Sequence, residues 1–219
     1  MHITVKNLLD IENNIKAHLS ESNKNNFPKI IAVSKTFKIE KILPLIEHGH
    51  IDFGENKVQE AVEKWTEIKK IHSKIKLHMI GKLQTNKVKF CLPLFDFIHS
   101  LDNIKLADKI ANEQIKKNFK PKLFIQVNIG DEEQKNGVLL SQFESFYKKI
   151  ENFELDIVGL MCIPPFVDDT EIYFKKMVEI RNKTNFKELS MGMSNDYLLA
   201  AKNSATYVRI GSKIFGERN

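Results

Sequence analysis

The segment IIAVSKTFKIEKILPLIEHGHIDFG, residues 30–54, decides the fold. It opens with a short apolar run from Ile30 to Ser34, continues with an amphipathic stretch from Ile39 to Glu47, and closes with a second apolar run from Ile51 to Gly54. Short β-branched runs on either side of a helix-length amphipathic stretch are typical of a βαβ unit. The segment therefore predicts parallel strands covered by helices.

The same alternation continues along the rest of the chain. Further strands are predicted at Leu77 to Ile80, Phe97 to His99, Leu123 to Asn128, Ile157 to Met161, Glu188 to Ser190 and Tyr207 to Ile210. Helices are predicted at Val58 to Ile71, Asn103 to Asn118, Leu139 to Ile150, Asp169 to Arg181 and Asp196 to Lys202, with an extra N-terminal helix from Val5 to Ser20.

Eight strands that alternate with helices predict an α/β fold of the (β/α)8 TIM-barrel type. We expect one domain that spans residues 1–219, because no Pro-rich or Ser-rich linker interrupts the pattern. An open doubly wound sheet is the alternative. It is less favoured because the chain has neither a Gly-x-Gly-x-x-Gly turn after the first strand nor a Gly-x-x-x-x-Gly-Lys-Ser/Thr phosphate loop.

The composition argues against several classes of protein. The formal charge is +6, but the lysines are spread from Lys6 to Lys213 among acidic residues, which does not favour a nucleic-acid-binding module. Salt-dependent binding would reveal such a module. No apolar run approaches the ~18 residues of a membrane span. We therefore expect a cytoplasmic protein with no nucleic-acid or membrane partner. The spacing of Cys91 and Cys162 suits neither a disulfide framework nor a zinc site, so we expect both to be buried thiols.

Polar residues gather directly after the predicted strands. The carboxyl ends of the strands build the active face of a β/α barrel. Lys35 follows the first apolar strand, so its side chain should project into the mouth of the barrel. A lysine desolvated there can attack an aldehyde and form an imine. Taken alone, this pattern is also what a surface lysine would show.

Two further segments suit a phosphate group. Ser194 stands just ahead of a predicted helix, and Gly211-Ser212 follows the last strand. Backbone amides, hydroxyl donors and a glycine that permits close approach can together hold a dianion. The alternative is that Ser194 is only the N-cap of its helix.

The segments taken together resemble the pyridoxal phosphate homeostasis protein family. The resemblance covers nearly the whole chain in order, and it rests on Ala32–Thr36, Phe53–Glu60, His78–Lys87, Ser190–Ser194 and Val208–Gly216. It implies a barrel like the N-terminal domain of alanine racemase, with pyridoxal 5'-phosphate (PLP) held as a Schiff base on Lys35. The loop Gly130–Gly137 also resembles the family, and it implies that Lys135 is a second PLP acceptor.

The resemblance also implies the roles of individual residues. Ser194, Gly211 and Ser212 are expected to hold the phosphate, and Arg209 is expected to face the pyridine nitrogen. Asn56 and His78 are expected to lie near the cofactor. The predicted cofactor-binding set is therefore Lys35, Asn56, His78, Ser194, Arg209, Gly211 and Ser212, and we assign no catalytic or metal-binding residue.

The function follows from the expected partner of the ring nitrogen. Arginine stays protonated, so Arg209 should donate a hydrogen bond and leave PLP a weak electron sink. Only seven residues follow Ser212, which leaves no room for the β domain that supplies the second base in alanine racemase. We expect a monomeric carrier of PLP in PLP homeostasis, without robust catalysis, that serves PLP-dependent apo-enzymes. The alternative is a slow PLP-dependent amino-acid racemase or transaminase that uses Lys35 as its base.

Overall fold

The strands form a parallel sheet that closes on itself. A computed structural model describes residues 1–21, 26–166 and 169–217. In these ranges the strands are β1 Lys29–Val33, β2 Asp52–Glu55, β3 Lys76–Met79, β4 Phe97–Leu101, β5 Lys122–Asn128, β6 Val138–Leu139, β7 Asp156–Cys162, β8 Glu188–Ser190 and β9 Tyr207–Ile210. Their order is β4-β3-β2-β1-β9-β8-β7-β5-β6, and the pairing of β4 with β5 closes the barrel. The two-residue strand β6 pairs with β5 outside this ring. The predicted α/β barrel of eight strands is confirmed.

Helices follow most of the barrel strands. The α-helices of the described ranges are α1 Ile3–Glu21, which precedes β1, and α2 Ile39–Glu47, α3 Val58–Ile71, α4 Val88–Cys91, α5 Ile104–Lys117, α6 Phe143–Ile150, α7 Glu171–Asn182, α8 Tyr197–Lys202 and α9 Ser212–Phe215. The extra N-terminal helix α1 is confirmed, and it packs against α2, α8 and α9. None of the helices in the described part of the chain is long and apolar enough to cross a membrane.

Local sequence signals explain where α5 begins and ends. The side chain of Asn103 accepts a hydrogen bond from the backbone N–H of Leu106 at 2.9 Å and so caps the first turn. The last turn carries Lys116 and Lys117, which suit the negative end of the helix dipole. Asn118 ends the helix in the left-handed conformation, with φ of 47°.

Apolar side chains form two separate cores. The larger core lies between the helices and the outside of the barrel, where α3 buries Val58, Ala61 and Trp65 on one face. The smaller core fills the barrel interior and consists of Ile31, Phe97, Phe124, Met161 and Tyr207. Because inward side chains alternate along each strand, these residues plug the barrel beneath its carboxyl end.

Three short elements were not predicted from the sequence. The strand β6 has two residues, and the helices α4 and α9 have four residues each. Segments this short carry no measurable hydrophobic period, so their sequence could not reveal them.

Both cysteines are buried free thiols, as expected. Burial raises the pKa of the Cys162 thiol to about 12, so it stays protonated and unreactive.

Candidate functional site

An open cleft of about 690 Å³ lies at the carboxyl ends of the strands. The walls come from the loops after β1, β2, β3, β5, β7, β8 and β9, with Gln126 of β5 contributing from the barrel. Six of the predicted site residues line it, namely Lys35, Asn56, Ser194, Arg209, Gly211 and Ser212. The seventh, His78, is not part of the lining.

The loop that carries Lys35 is held firmly on both sides. Lys35 is half-buried between Ser34 and Thr36. The hydroxyl of Ser34 donates a hydrogen bond of 2.7 Å to Oε1 of Glu55. Thr36 has a φ of 67°, and its backbone N–H donates to Oε1 of Glu60 at 2.6 Å. A residue with a Cβ rarely adopts this left-handed conformation, so the loop geometry is imposed by its surroundings.

A buried ionic cluster links this loop to α3. The carboxylate of Glu55 is fully buried and accepts hydrogen bonds from Nζ of Lys64 at 3.0 Å and from Nε1 of Trp65 at 2.9 Å. Lys64 also donates to the backbone oxygen of Ser34 at 2.9 Å and pairs with Glu60 at 3.0 Å. A buried charge is tolerated when it is paired in this way. The helix α3 therefore sets the position of Lys35 although it does not reach the cleft.

The loops after β8 and β9 bring two hydroxyl groups together. Oγ of Ser212 donates a hydrogen bond to Oγ of Ser194 at 3.1 Å. The turn before Ser194 depends on Gly192, which has a φ of 89°. A Cβ at this position would lie 2.4 Å from the Cβ of Ala200. Glycine is thus required both by the backbone and by the close approach of α8.

Arg209 places a buried positive charge at the floor of the cleft. Its side chain is only 4% exposed. Nη1 donates to Oγ of Ser190 and Nη2 donates to the backbone oxygen of Cys162, each at 2.8 Å. Burial lowers its pKa, but a guanidinium remains charged in proteins. Over residues 1–21, 26–166 and 169–217, no carboxylate lies within ion-pair distance of it.

His78 lies beneath the cleft and reaches it only through other residues. The ring is fully buried, with Nε2 at 2.9 Å from Oδ1 of Asp52 and Nδ1 at 3.0 Å from Nε2 of His99. Nδ1 of His99 lies 3.0 Å from Oγ of Ser190, which also accepts from Arg209. The polar chain from Asp52 to Arg209 therefore runs through the barrel interior. The resemblance placed His78 near the cofactor, and the contacts place it one layer deeper.

Some residues of the cleft were missed at the sequence level. On β5, the amide of Asn128 bonds to the backbone of Glu132 within the following loop. Gln126, two positions earlier, lines the cleft. The two-residue period of a strand could have identified it.

Lys135, the expected second acceptor, does not line the cleft. Its Nζ donates to the backbone oxygen of Pro164 at 3.0 Å and pairs with Glu132. The neighbouring Asn136 lines the cleft instead.

The buried imidazoles should make stability depend on pH. Burial lowers the pKa of His78 and of His99 below the ordinary value. Below pH ~6.5 the unfolded chain therefore binds protons that the folded protein excludes, and the free energy of unfolding falls as the pH falls. We expect a loss of roughly 1 kcal/mol or more between pH ~7 and pH ~5. Urea unfolding at several pH values measures it.

A matched variant tests the source of this effect. His48 is exposed, so His48→Gln should leave the pH dependence unchanged. His99→Phe should flatten it, because one titrating group is removed. Stability that stays constant across the range would contradict the assignment of neutral buried rings.

Comparisons with known proteins agree with one another. A family model described as the alanine racemase N-terminal domain matches residues 7–219. The pyridoxal phosphate homeostasis protein of Haemophilus influenzae is 40% identical over 226 residues, which cover 97% of this chain and 95% of that protein. Its counterpart from Aquifex aeolicus is 38% identical over 203 residues, which cover 88% of each. The structure of PipY from Synechococcus elongatus with PLP bound has a TM-score of 0.79 and 30% identity, covering 92% of this chain and 100% of PipY.

Proposed function

We infer, from the premise that this chain belongs to the pyridoxal phosphate homeostasis protein family, that it binds PLP and acts in PLP homeostasis. The observation that carries the inference is the cleft at the carboxyl end of the barrel. There a lysine, a pair of hydroxyls and a buried guanidinium face one cavity. The membership and the fold support PLP as the ligand, and the residue roles below are our proposal.

The polar groups of the cleft fit PLP. A buried guanidinium with no carboxylate partner among the described residues is free to face a hydrogen-bond acceptor, and the pyridine nitrogen is one. The amide oxygen Oδ1 of Asn56 is buried without a donor in the described structure. A buried acceptor without a donor marks a place where a ligand can complete the hydrogen bonding. The paired hydroxyls of Ser194 and Ser212 can both turn toward a phosphate.

Each side chain has a distinct task in this proposal. Bound PLP supplies an aldehyde that condenses reversibly with a primary amine. Lys35 presents that amine from a braced loop, and Ser194 and Ser212 donate to the phosphate while Gly211 leaves room for it. Arg209 donates a hydrogen bond toward the ring nitrogen and cannot accept one from a protonated ring, so it disfavours the pyridinium form. The ring is thereby kept a poor electron sink.

The phosphate contact is tested by Ser194→Ala. We expect this change to weaken PLP binding by roughly 1 to 3 kcal/mol, because a hydrogen bond to a charged group is lost. Fluorescence or absorbance titration with PLP measures the affinity. The matched control is Ser204→Ala, a serine that lies outside the cleft lining. Equal affinity of Ser194→Ala and the wild type would exclude this loop as the phosphate site.

Carrier and enzyme are separated by measuring transfer and turnover on the same preparation. We expect the PLP-loaded protein to pass its cofactor to the apo form of a PLP-dependent aminotransferase. We expect turnover of alanine or serine to stay below about 1 per second, the low end of ordinary enzyme rates. The reason is that Arg209 holds the ring nitrogen without a proton.

The alternative has a clear signature in this experiment. Steady racemisation or transamination at rates above about 1 per second, abolished by Lys35→Ala, would establish a racemase or transaminase and overturn the carrier. Absence of transfer to any apo-enzyme would also contradict the carrier proposal. The cytoplasmic location and the monomeric state stay predictions from the sequence.

A further inference from the structure

The polar residues inside the barrel form an unbroken chain that the proposed binding roles do not use. It begins at Asp52 near the amino end of β2, passes through the rings of His78 and His99, and reaches Arg209 through Ser190. All five residues are buried, and none is more than 8% exposed. A buried polar network is stable only when every member has a partner. The chain therefore demands a consistent assignment of its protons.

The carboxylate end and the neutrality of the two rings fix that assignment. Asp52 is a carboxylate and only accepts hydrogen bonds, so Nε2 of His78 must carry a proton and donate. A neutral His78 that carries its proton on Nε2 has Nδ1 only as an acceptor, so Nε2 of His99 must donate to it. Nδ1 of a neutral His99 is then an acceptor, so the hydroxyl of Ser190 donates to it while its oxygen accepts from Arg209.

Every link points from the arginine to the aspartate. Both rings are neutral with the proton on Nε2, which agrees with the lowered pKa of each ring. Reversal of one link would leave two donors or two acceptors facing each other in a site without water access, which costs free energy. A guanidinium at one end and a carboxylate at the other thus stabilise a single proton arrangement.

Aromatic stacking keeps the rings in register. His78 stacks on Phe97 with centroids 4.3 Å apart, and His99 stacks on Phe124 at 4.2 Å. The planes differ by only 6° and 12°. The rings therefore cannot rotate without disturbing the apolar core of the barrel.

We propose that Asp52, His78, His99 and Ser190 form one directional hydrogen-bond chain that positions the guanidinium of Arg209 and couples its charge to the carboxylate at the opposite end of the barrel. The four are positioning residues, since none of them lines the cleft. The consequence for bound PLP rests on the proposed function. The proton arrangement does not, because it is a property of the protein alone.

The proton arrangement is tested on the intact protein without PLP. Long-range ¹H–¹⁵N spectra of the imidazoles, assigned with His78→Gln and His99→Gln, report the protonated nitrogen of each ring. We expect both rings to be neutral and protonated on Nε2 near neutral pH. A proton on Nδ1 of either ring, or a charged ring, overturns the chain as drawn.

The coupling to the cleft is tested with His99→Phe. The substituted ring can still stack on Phe124 but breaks the chain in its middle. We expect PLP affinity to fall about fivefold or more, within the range for losing one hydrogen bond in a buried network, and the absorbance of bound PLP to shift. His99→Gln, which keeps a donor and an acceptor, should restore part of both. The matched control Ile31→Val alters the same core but neither a hydrogen bond nor a stacked ring, so it should change neither.

The possible outcomes separate this inference from the proposed function. A wild type that binds no PLP refutes the proposed function, and the nitrogen spectra then decide the chain alone. If the wild type binds PLP and His99→Phe leaves both the affinity and the absorbance spectrum unchanged, the coupling is refuted. If His99→Phe does not fold, Asp52→Asn replaces it. This variant keeps an oxygen acceptor for His78 but removes the charge, and an unaltered spectrum there refutes the coupling equally.

Discussion

Replacement of Lys35 by alanine is expected to abolish the covalent attachment of PLP while leaving the fold intact. The amine is the group that the aldehyde of PLP requires, and it stands in the cleft on a braced loop. The braces act through the hydroxyl and carbonyl of Ser34 and the backbone N–H of Thr36, so they survive truncation of Lys35. Borohydride reduction followed by peptide mapping measures the attachment, and circular dichroism checks the fold.

A second lysine of the cleft provides the control for this experiment. Lys82 also lines the cleft but is exposed. Lys82→Ala should therefore retain full labelling at Lys35. Labelling found on Lys82 or Lys135 of the wild type, and not on Lys35, would assign the amine to a different loop. Loss of the folded signal in Lys35→Ala would show that this residue also supports the structure.

Arg209→Met is expected to have the second large effect, on both stability and binding. The change leaves the hydroxyl of Ser190 and the backbone oxygen of Cys162 without their donor. An unsatisfied buried group costs about 1 to 3 kcal/mol, and the same range applies to a lost hydrogen bond to the ring. We expect the free energy of unfolding to fall by that range and PLP affinity to fall at least ~10-fold. Urea unfolding and PLP titration measure the two effects separately.

A surface variant controls for loss of positive charge alone. Lys213 is exposed, rests over the ring of Tyr197 and does not line the cleft. Lys213→Met should leave both quantities close to those of the wild type. Unchanged PLP affinity in Arg209→Met would mean that the guanidinium supports the barrel and does not contact the cofactor.

Periodicity was sufficient to predict the barrel. The runs at Glu188 to Ser190 and Tyr207 to Ile210 match β8 and β9 at both ends. The other predicted strands differ from the observed ones by one or two residues at their ends, because hydrogen bonding and not hydropathy sets where a strand stops. The polar residues that follow the strands predicted the position of the cleft, since the carboxyl ends of parallel strands meet at one face.

The interior of the barrel was harder to predict. His99 and Ser190 fall within predicted strands, yet nothing in the sequence says that their side chains meet across the barrel. That contact depends on the stagger of the strands, which pairs β4 with β5 and β8 with β9 at particular residues. The brace of Lys35 by Lys64 and Glu60 was missed for a similar reason. The hydrogen bond joins Ser34 to Lys64, which lies 30 residues further along the chain. Nothing in the sequence distinguishes Lys64 from the other lysines of the same helix.

Among the described residues, Phe97, Phe124 and Tyr207 fill the barrel interior beneath the cleft. A molecule that enters over the carboxyl ends of the strands has to leave by the same path. Under the proposed function, one ligand has to depart before another can bind, and an acceptor protein has to approach this same face of the barrel. If the chain transfers its ligand, we therefore expect an excess of free ligand to slow transfer to an acceptor that approaches the same opening.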